Sequence, residues 1–234
     1  MERNILITGA SRGLGFFFVQ KYLEDGDTVF AGVRNLQSPG IVKLKEAYPK
    51  FLIPVELEVR STKSVDKAVE LVKSYTDRLD IIVNNAAVHS ESSFEVLEKA
   101  DIDECLDVYD INGLGPIRVA KAFVDFVRKS PQGKIINISS ESGSLTTCKR
   151  EKEFDYCMSK AALNMGTKLL ANYLKKDNIL VLSVHPGWMR TDMGGKHAHL
   201  DPYKTACKLV ELFDSMCDVN DPIFIDNTGK EYPW

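Results

Sequence analysis

Seven short β-prone runs separated by helix-patterned stretches constrain the fold of this chain more than any other feature. They are Ile5 to Thr8, Thr28 to Val33, Leu52 to Glu58, Asp80 to Val83, Lys134 to Ile138, Ile179 to Val184 and Ile223 to Ile225. Alternating β and α segments imply a mainly parallel sheet with helices on both faces. Val65, Ala68, Val69 and Val72 recur at i, i+3, i+4 and i+7, which predicts an amphipathic helix over 62–76. Asp201-Pro202 starts another, an N-cap acceptor followed by proline at the first helical position. Residues 141–155 read as a loop next to the candidate site and 188–200 as a second, and a length of 234 residues fits one α/β domain able to bury a single core.

The first run leads directly into Gly9-Ala10-Ser11-Arg12-Gly13-Leu14-Gly15 and then into a helical pattern with Leu14, Phe18 and Tyr22 at helix-like intervals. Strand, glycine turn and helix follow in the order that a phosphate site requires. Glycine lets the backbone approach a pyrophosphate, and the first amides of a helix offer unpaired donors with a partial positive charge. The spacing is G-x-x-x-G-x-G rather than G-x-G-x-x-G, so individual glycine roles do not transfer from that fingerprint.

Tyr156 and Lys160 stand four residues apart in Tyr156-Cys157-Met158-Ser159-Lys160. On a helix both side chains share one face, where a phenol and an ammonium can act on one proton. The same spacing also suits a packed ring beside a solvated amine, so the pair depends on its setting.

That setting resembles a family. Thr8 to Gly15, Asn84-Asn85-Ala86-Ala87, Asn112, Ser139-Ser140, Tyr156 to Lys160 and Pro186-Gly187 occur in the order and spacing of the short-chain dehydrogenase/reductases, and the resemblance runs from residue 4 to the C-terminus. His185 to Gly195 and the ending Gly229-Lys230-Glu231-Tyr232-Pro233-Trp234 resemble the branch of small C-factor-like and sniffer-like carbonyl reductases. The resemblance implies a Rossmann fold, with residues 1–234 forming a single dinucleotide-binding catalytic domain around a doubly wound, mainly parallel seven-stranded sheet.

By the same resemblance, hydride passes between a nicotinamide and a carbonyl carbon, with Tyr156 as general acid in reduction and general base in oxidation. Lys160 would lower the Tyr156 pKa and hold the nicotinamide ribose. Ser140 would hydrogen-bond the substrate oxygen, with Ser142 as its substitute because the gap to Tyr156 is long. Asn112 would keep a water that relays protons to Lys160. Gly9, Ser11, Arg12, Gly13, Leu14 and Gly15 would form the phosphate turn, Val59, Asn85, Ala86 and Ala87 would also bind the cofactor, and Pro186, Gly187, Met189 and Thr191 would pass over the nicotinamide. Glu58 stands where the family has an adenine-contacting aspartate, and Ala87 where it has a glycine.

The stretch Phe30-Ala31-Gly32-Val33-Arg34-Asn35 lacks the carboxylate that an NAD site places near the end of its second strand. Arg34 and Arg12 instead offer guanidiniums to a 2′-phosphate, so the expected cofactor is NADP(H). Trp188 and Met193 are expected near the substrate, and His89 either lines the pocket or lies at the surface. The substrate class is a small-molecule carbonyl or alcohol. A second reading is an NADP(H)-binding signalling or regulatory protein of C-factor type with little turnover.

With 30 basic and 33 acidic residues the net charge is −3, which offers no broad attraction for nucleic acid or an anionic membrane. No apolar run approaches the ~18 residues a membrane helix needs, and Met1-Glu2-Arg3 leads into the first strand without a signal-peptide core. A cytoplasmic protein is expected. The five cysteines show no C-x-x-C pair and read as reduced thiols, and His197-Ala198-His199 lacks a third ligand, so no metal is expected. The helices near residues 101–130 and 156–176 occupy the dimer surface that the family resemblance implies, so a homodimer is expected.

Overall fold

The computed structural model describes residues 3–234. Met1 and Glu2, which the sequence sets ahead of the first strand, lie outside the described residues. Seven strands form one sheet: β1 (Asn4–Thr8), β2 (Thr28–Val33), β3 (Leu52–Glu56), β4 (Ile81–Asn84), β5 (Lys134–Ile138), β6 (Leu180–His185) and β7 (Phe224–Asp226). Their order is β3-β2-β1-β4-β5-β6-β7, and every neighbouring pair is parallel. The chain leaves β1 in one direction for β2 and β3 and returns to its other side for β4. The order therefore reverses between β1 and β4, and a crevice opens there above the carboxyl ends of the strands.

Two layers of helices cover the sheet. α1 (Gly13–Glu24), α2 (Pro39–Ala47) and α7 (Pro202–Ser215) pack on one face, where Phe18, Tyr22, Leu209 and Phe213 share a core with Ile5, Ile7 and Leu182. α3 (Thr62–Lys73), α5 (Gly115–Val127) and α6 (Phe154–Leu174) cover the other, where Val65, Val72, Phe123 and Leu174 meet Leu6, Phe30, Ile82 and Ile135. Strand residues alternate between the two cores because successive side chains point to opposite faces. α4 (Glu104–Tyr109) runs through a π-helical turn at Asp110–Leu114 into α5.

Local chemistry sets several boundaries. Ser61 caps α3 by accepting from the Ser64 amide at 3.2 Å, and Asp201 caps α7 by accepting from the Lys204 amide at 2.9 Å, ahead of Pro202. α3 ends at Lys73 rather than residue 76, where Ser74 bonds back to the last carbonyls. β3 ends at Glu56, two residues short of the sequence-based limit, because the Glu58 amide turns out of the ladder to donate to Ser64 Oγ at 3.0 Å. The stretch 141–155 is not wholly a loop. A 3₁₀ turn occupies Glu141–Gly143 and α6 starts at Phe154. Among the described residues, no helix is long and apolar enough to cross a membrane.

Candidate active site

The glycine turn sits at the carboxyl end of β1. Gly9 and Gly13 have φ of +65° and +57°, and a Cβ on Gly9 would lie 2.7 Å from Ala86 Cα. Left-handed backbone and a close approach both demand glycine there. Gly15 is different, since its Cβ would meet Gly9 O and Asn85 Nδ2 at 2.4 Å. It packs α1 under the turn and does not line the cavity. Arg12 precedes α1 without capping it through its side chain, so the first amides of the helix keep their bonding capacity. Asn85 fastens the next loop to this turn, donating through Nδ2 to Thr8 O at 3.1 Å and Gly9 O at 3.2 Å. Thr8 Oγ1 accepts the Asn85 and Ala86 amides in return.

One cavity of about 620 Å³ lies above the carboxyl ends of the strands. Arg34, Glu58 and Val59 line its β2–β3 side, and Ser140, Tyr156, Lys160 and Trp188 line the other. Ser11, Arg12, Leu14, Ala86, Ala87, Pro186, Gly187, Met189 and Thr191 also reach it. Of the residues expected at the site, only Gly15 and Asn112 stay behind its wall.

Glu153, in the left-handed region at φ 62°, turns the chain into α6, held by its amide to Ser93 O at 2.8 Å. One helical turn separates Tyr156 from Lys160, whose Nζ lies 5.4 Å from the Tyr156 ring centroid. Lys160 is 2% exposed, and its Nζ donates to Ile138 O at 2.8 Å. Burial lowers its pKa to about 7, so two of its three donors and a mobile proton are available in the cavity wall. Burial also raises the phenol of Tyr156, and the Ser140 hydroxyl pulls it partly back. That hydroxyl is the main group that lowers it.

The two serines after β5 divide their work. Ser139 also lines the cavity, but its Oγ donates to Asn164 Oδ1 at 2.7 Å. Ser140 and Ser142 bond through their hydroxyls at 3.0 Å, and Ser140 Oγ also accepts the Ser142 amide at 3.1 Å. Asn112, in the π-helical turn, spends its side chain on the loop after β4. Oδ1 accepts the Val88 amide at 2.9 Å, while Nδ2 donates to Val88 O at 2.9 Å and Ser159 Oγ at 3.1 Å.

The loop after β6 closes the other wall. A Cβ on Gly187, at φ +85°, would lie 2.5 Å from Leu200 Cδ1, and Met189 bridges to Leu200. Trp188 Nε1 donates to Gly194 O at 2.7 Å, which fixes the indole at the cavity rim. Arg12 Nη1 reaches Asp192 across the cleft at 3.0 Å. Asp192 was not expected at the site, nor were Glu141, Arg150 and Glu153, where Arg150 bridges both glutamates. The loop 141–155 was expected beside the site, but sequence spacing does not tell which residues of a loop reach the cavity. Among the described residues, no group of three His, Cys, Asp or Glu side chains could hold a metal ion.

A cradle of two positive-φ glycines, uncapped helix amides, one guanidinium in the glycine turn, another just after β2 and a buried lysine with spare donors fits a dinucleotide. Comparison with known proteins agrees. The family model described as short chain dehydrogenase matches residues 3–200. The chain is 31% identical to C-signal of Myxococcus xanthus over 159 residues, covering 68% of this chain and 95% of that protein. It is 30% identical to the short chain dehydrogenase gsfK of Penicillium aethiopicum over 255 residues, covering 100% of both. The solved structure of carbonyl reductase Sniffer of D. melanogaster superposes with a TM-score of 0.93 at 29% identity over 100% of both chains. The NADPH-bound carbonyl reductase from chicken fatty liver gives 0.90 at 28% identity, covering 100% of this chain and 99% of that one. The chain belongs to the short-chain dehydrogenase/reductase family of nicotinamide-dependent oxidoreductases. Within it, the chain is similar to the C-signal and Sniffer-type carbonyl reductase members.

Proposed function

We propose that this protein is an NADP(H)-dependent carbonyl reductase, and that its whole chain works as one catalytic domain. The observation that carries the reading is Tyr156, Ser140 and Lys160 sharing one cavity with the glycine turn. Reduced nicotinamide, when bound, supplies the hydride for the carbonyl carbon. Tyr156 gives its proton to the carbonyl oxygen and takes it back in alcohol oxidation. A phenol kept neutral by burial begins reduction in the protonated form a general acid needs. Ser140 holds the same oxygen and favours its developing negative charge. Lys160, with a pKa of about 7, binds ribose hydroxyls through its spare donors and returns a proton to Tyr156. Any relay through Asn112 uses its main chain, because its side chain is spent on Val88 and Ser159.

Preference for NADP(H) rests on Arg34, exposed at the end of β2 and without an ion pair among the described residues, and on the bound NADPH of the chicken reductase. Arg12 adds a second guanidinium once it leaves Asp192. The same reading has two copies associating through α4 to α6, where Leu106, Tyr109, Met165, Leu169 and Tyr173 are exposed. It also places the enzyme in the cytoplasm, in line with five free cysteines. Similarity to C-signal supports the second reading, a regulator that binds NADP(H) with little turnover.

A screen of carbonyl compounds, read as NADPH consumed, separates the two. Wild type should reduce at least one class, and Tyr156→Phe should lose about 10²- to 10⁴-fold in kcat/KM at unchanged NADPH affinity. Equal NADPH binding with no turnover by either protein would move the assignment to the regulator.

A further inference from the structure

His89 is an aromatic neighbour of Tyr156 that the acid-base chemistry leaves unused. Its ring stacks on the Tyr156 ring with centroids 4.1 Å and planes 20° apart, and Phe94 lies against it with centroids 5.5 Å apart. His89 Nδ1 is 3.2 Å from Ser93 Oγ. That hydroxyl donates to Asp155 Oδ1 at 2.7 Å, and the other oxygen of Asp155 accepts the Ser90 amide at 2.8 Å. Ser93 and Asp155 are both buried. A hydroxyl has one proton, and Ser93 gives it to the carboxylate, so Ser93 can only accept from the histidine. Nδ1 therefore carries the ring hydrogen.

The carboxylate end of this chain is secure. Burial pushes Asp155 up, but the bonds from Ser90 and Ser93 outweigh it and hold the group below its ordinary pKa. Burial lowers the His89 pKa, with Glu153 and Asp155 pulling upward and Lys160 and Arg150 pushing down. Burial thus favours the neutral ring, whose Nε2 lone pair has no partner among the described residues. His89 lines the same cavity as Tyr156 and Ser140. An acceptor held in a cavity wall by a buried two-residue chain favours a ligand that brings a donor, because a ligand without one strips water from Nε2 and returns nothing.

We propose that His89 is a specificity-determining residue whose Nε2 accepts a hydrogen bond from a hydroxyl or amide N–H near the reacting carbonyl, so that donor-bearing carbonyl compounds are preferred over their deoxy analogues. The inference rests on Tyr156 meeting the carbonyl.

The test pairs a hydroxyketone with its deoxy analogue in wild type, His89→Phe and Ser93→Ala. Phenylalanine keeps a stacked ring and removes the acceptor, whereas alanine at Ser93 leaves His89 in place and frees its tautomer. The hydroxy-to-deoxy ratio of kcat/KM should fall by about 5- to 30-fold in His89→Phe and by less in Ser93→Ala. Turnover of the deoxy compound should rise in His89→Phe, which removes the stranded acceptor, while NADPH affinity should change by less than about threefold in both variants. Nitrogen-15 spectra of the cofactor-free protein should show His89 protonated at Nδ1. An Nε2–H tautomer, or an equal ratio in wild type and His89→Phe, overturns the proposal. If no carbonyl is reduced, the carbonyl reductase reading falls on its own. Calorimetric titration of the same two compounds into protein equilibrated with NADP then decides the His89 contact, which stands if the affinity ratio is lost in His89→Phe and falls if it is kept.

Discussion

The amino and carboxyl edges of the sheet both bury a lysine, and they treat it in opposite ways. Lys134 opens β5 at the amino edge, where its Nζ donates to Phe213 O at 2.5 Å. Around it the polar groups close on one another. Arg3 pairs with Asp27 at 2.6 Å and also with Asp214, and Asp80 accepts from the Asn4 amide at 2.8 Å and Ser130 Oγ at 2.7 Å. The Tyr22 hydroxyl is the exception, buried without a hydrogen bond. Lys160 sits at the carboxyl edge with one carbonyl partner, in the wall of the cavity that the start of α1 and His89 also line. Burial lowers the pKa of both lysines. One edge spends its bonding capacity on the fold and the other leaves it open for ligands, at some expense in stability.

Substitutions at the two edges should therefore separate stability from activity. The largest effect on stability is expected at Asp27. Asp27→Ala strips Arg3 of its main partner and should cost about 2 to 4 kcal/mol, below the usual figure for a fully buried pair because Arg3 keeps Asp214 and some water. In a chain of this size that lowers Tm by roughly 5 to 12 °C, with kcat/KM for the best carbonyl substrate nearly unchanged. Loss of activity without loss of Tm would break the contrast between the edges.

Lys160→Met should do the reverse, abolishing turnover while stabilising the protein. A lysine whose folded pKa lies below its unfolded value penalises the fold while it is charged in the unfolded chain. The penalty is full below the folded value of about 7 and fades as pH rises toward 10.5. The gain from methionine, on the order of 2 kcal/mol after loss of the bond to Ile138 O, should be present at pH 6 and shrink above pH 7. Urea unfolding across that range measures it, and a gain independent of pH would mean that Lys160 is not desolvated.

The cofactor end should respond more weakly. Arg34→Ala should raise the KM for NADPH roughly tenfold, the worth of one charge-assisted contact, and leave the KM for NADH alone. Equal rises for both cofactors would place the 2′-phosphate elsewhere. The smallest change is expected at Asp192. Its pair with Arg12 has both side chains more than 70% exposed, so Asp192→Asn should lower the KM for NADPH only about twofold, as suits a surface ion pair. Added salt should erase even that difference.

Much of this comparison is legible in the sequence. All seven strands follow from apolar runs because a parallel sheet buried on both faces needs nearly continuous hydrophobic stretches. The glycine turn, Arg34, Ser140, Tyr156 and Lys160 were readable because each follows a strand end or holds a fixed helical spacing. Asn112 and Gly15 were readable as motif residues but not as residues behind the wall. Their contacts, Val88 for one and Asn85 for the other, come from loops distant in sequence.

The sequence by itself determined the succession of strands and helices and, through motifs at strand ends, most of the residues that line the cavity, because periodicity and spacing are local properties of a chain. Tertiary structure alone decided which donors stay unspent. Ser93 and Asp155 fix the tautomer of His89, Asp192 reaches across to Arg12, and burial pulls Lys160 toward neutrality. Each depends on segments brought together by folding and on the removal of water between them, which no local pattern records.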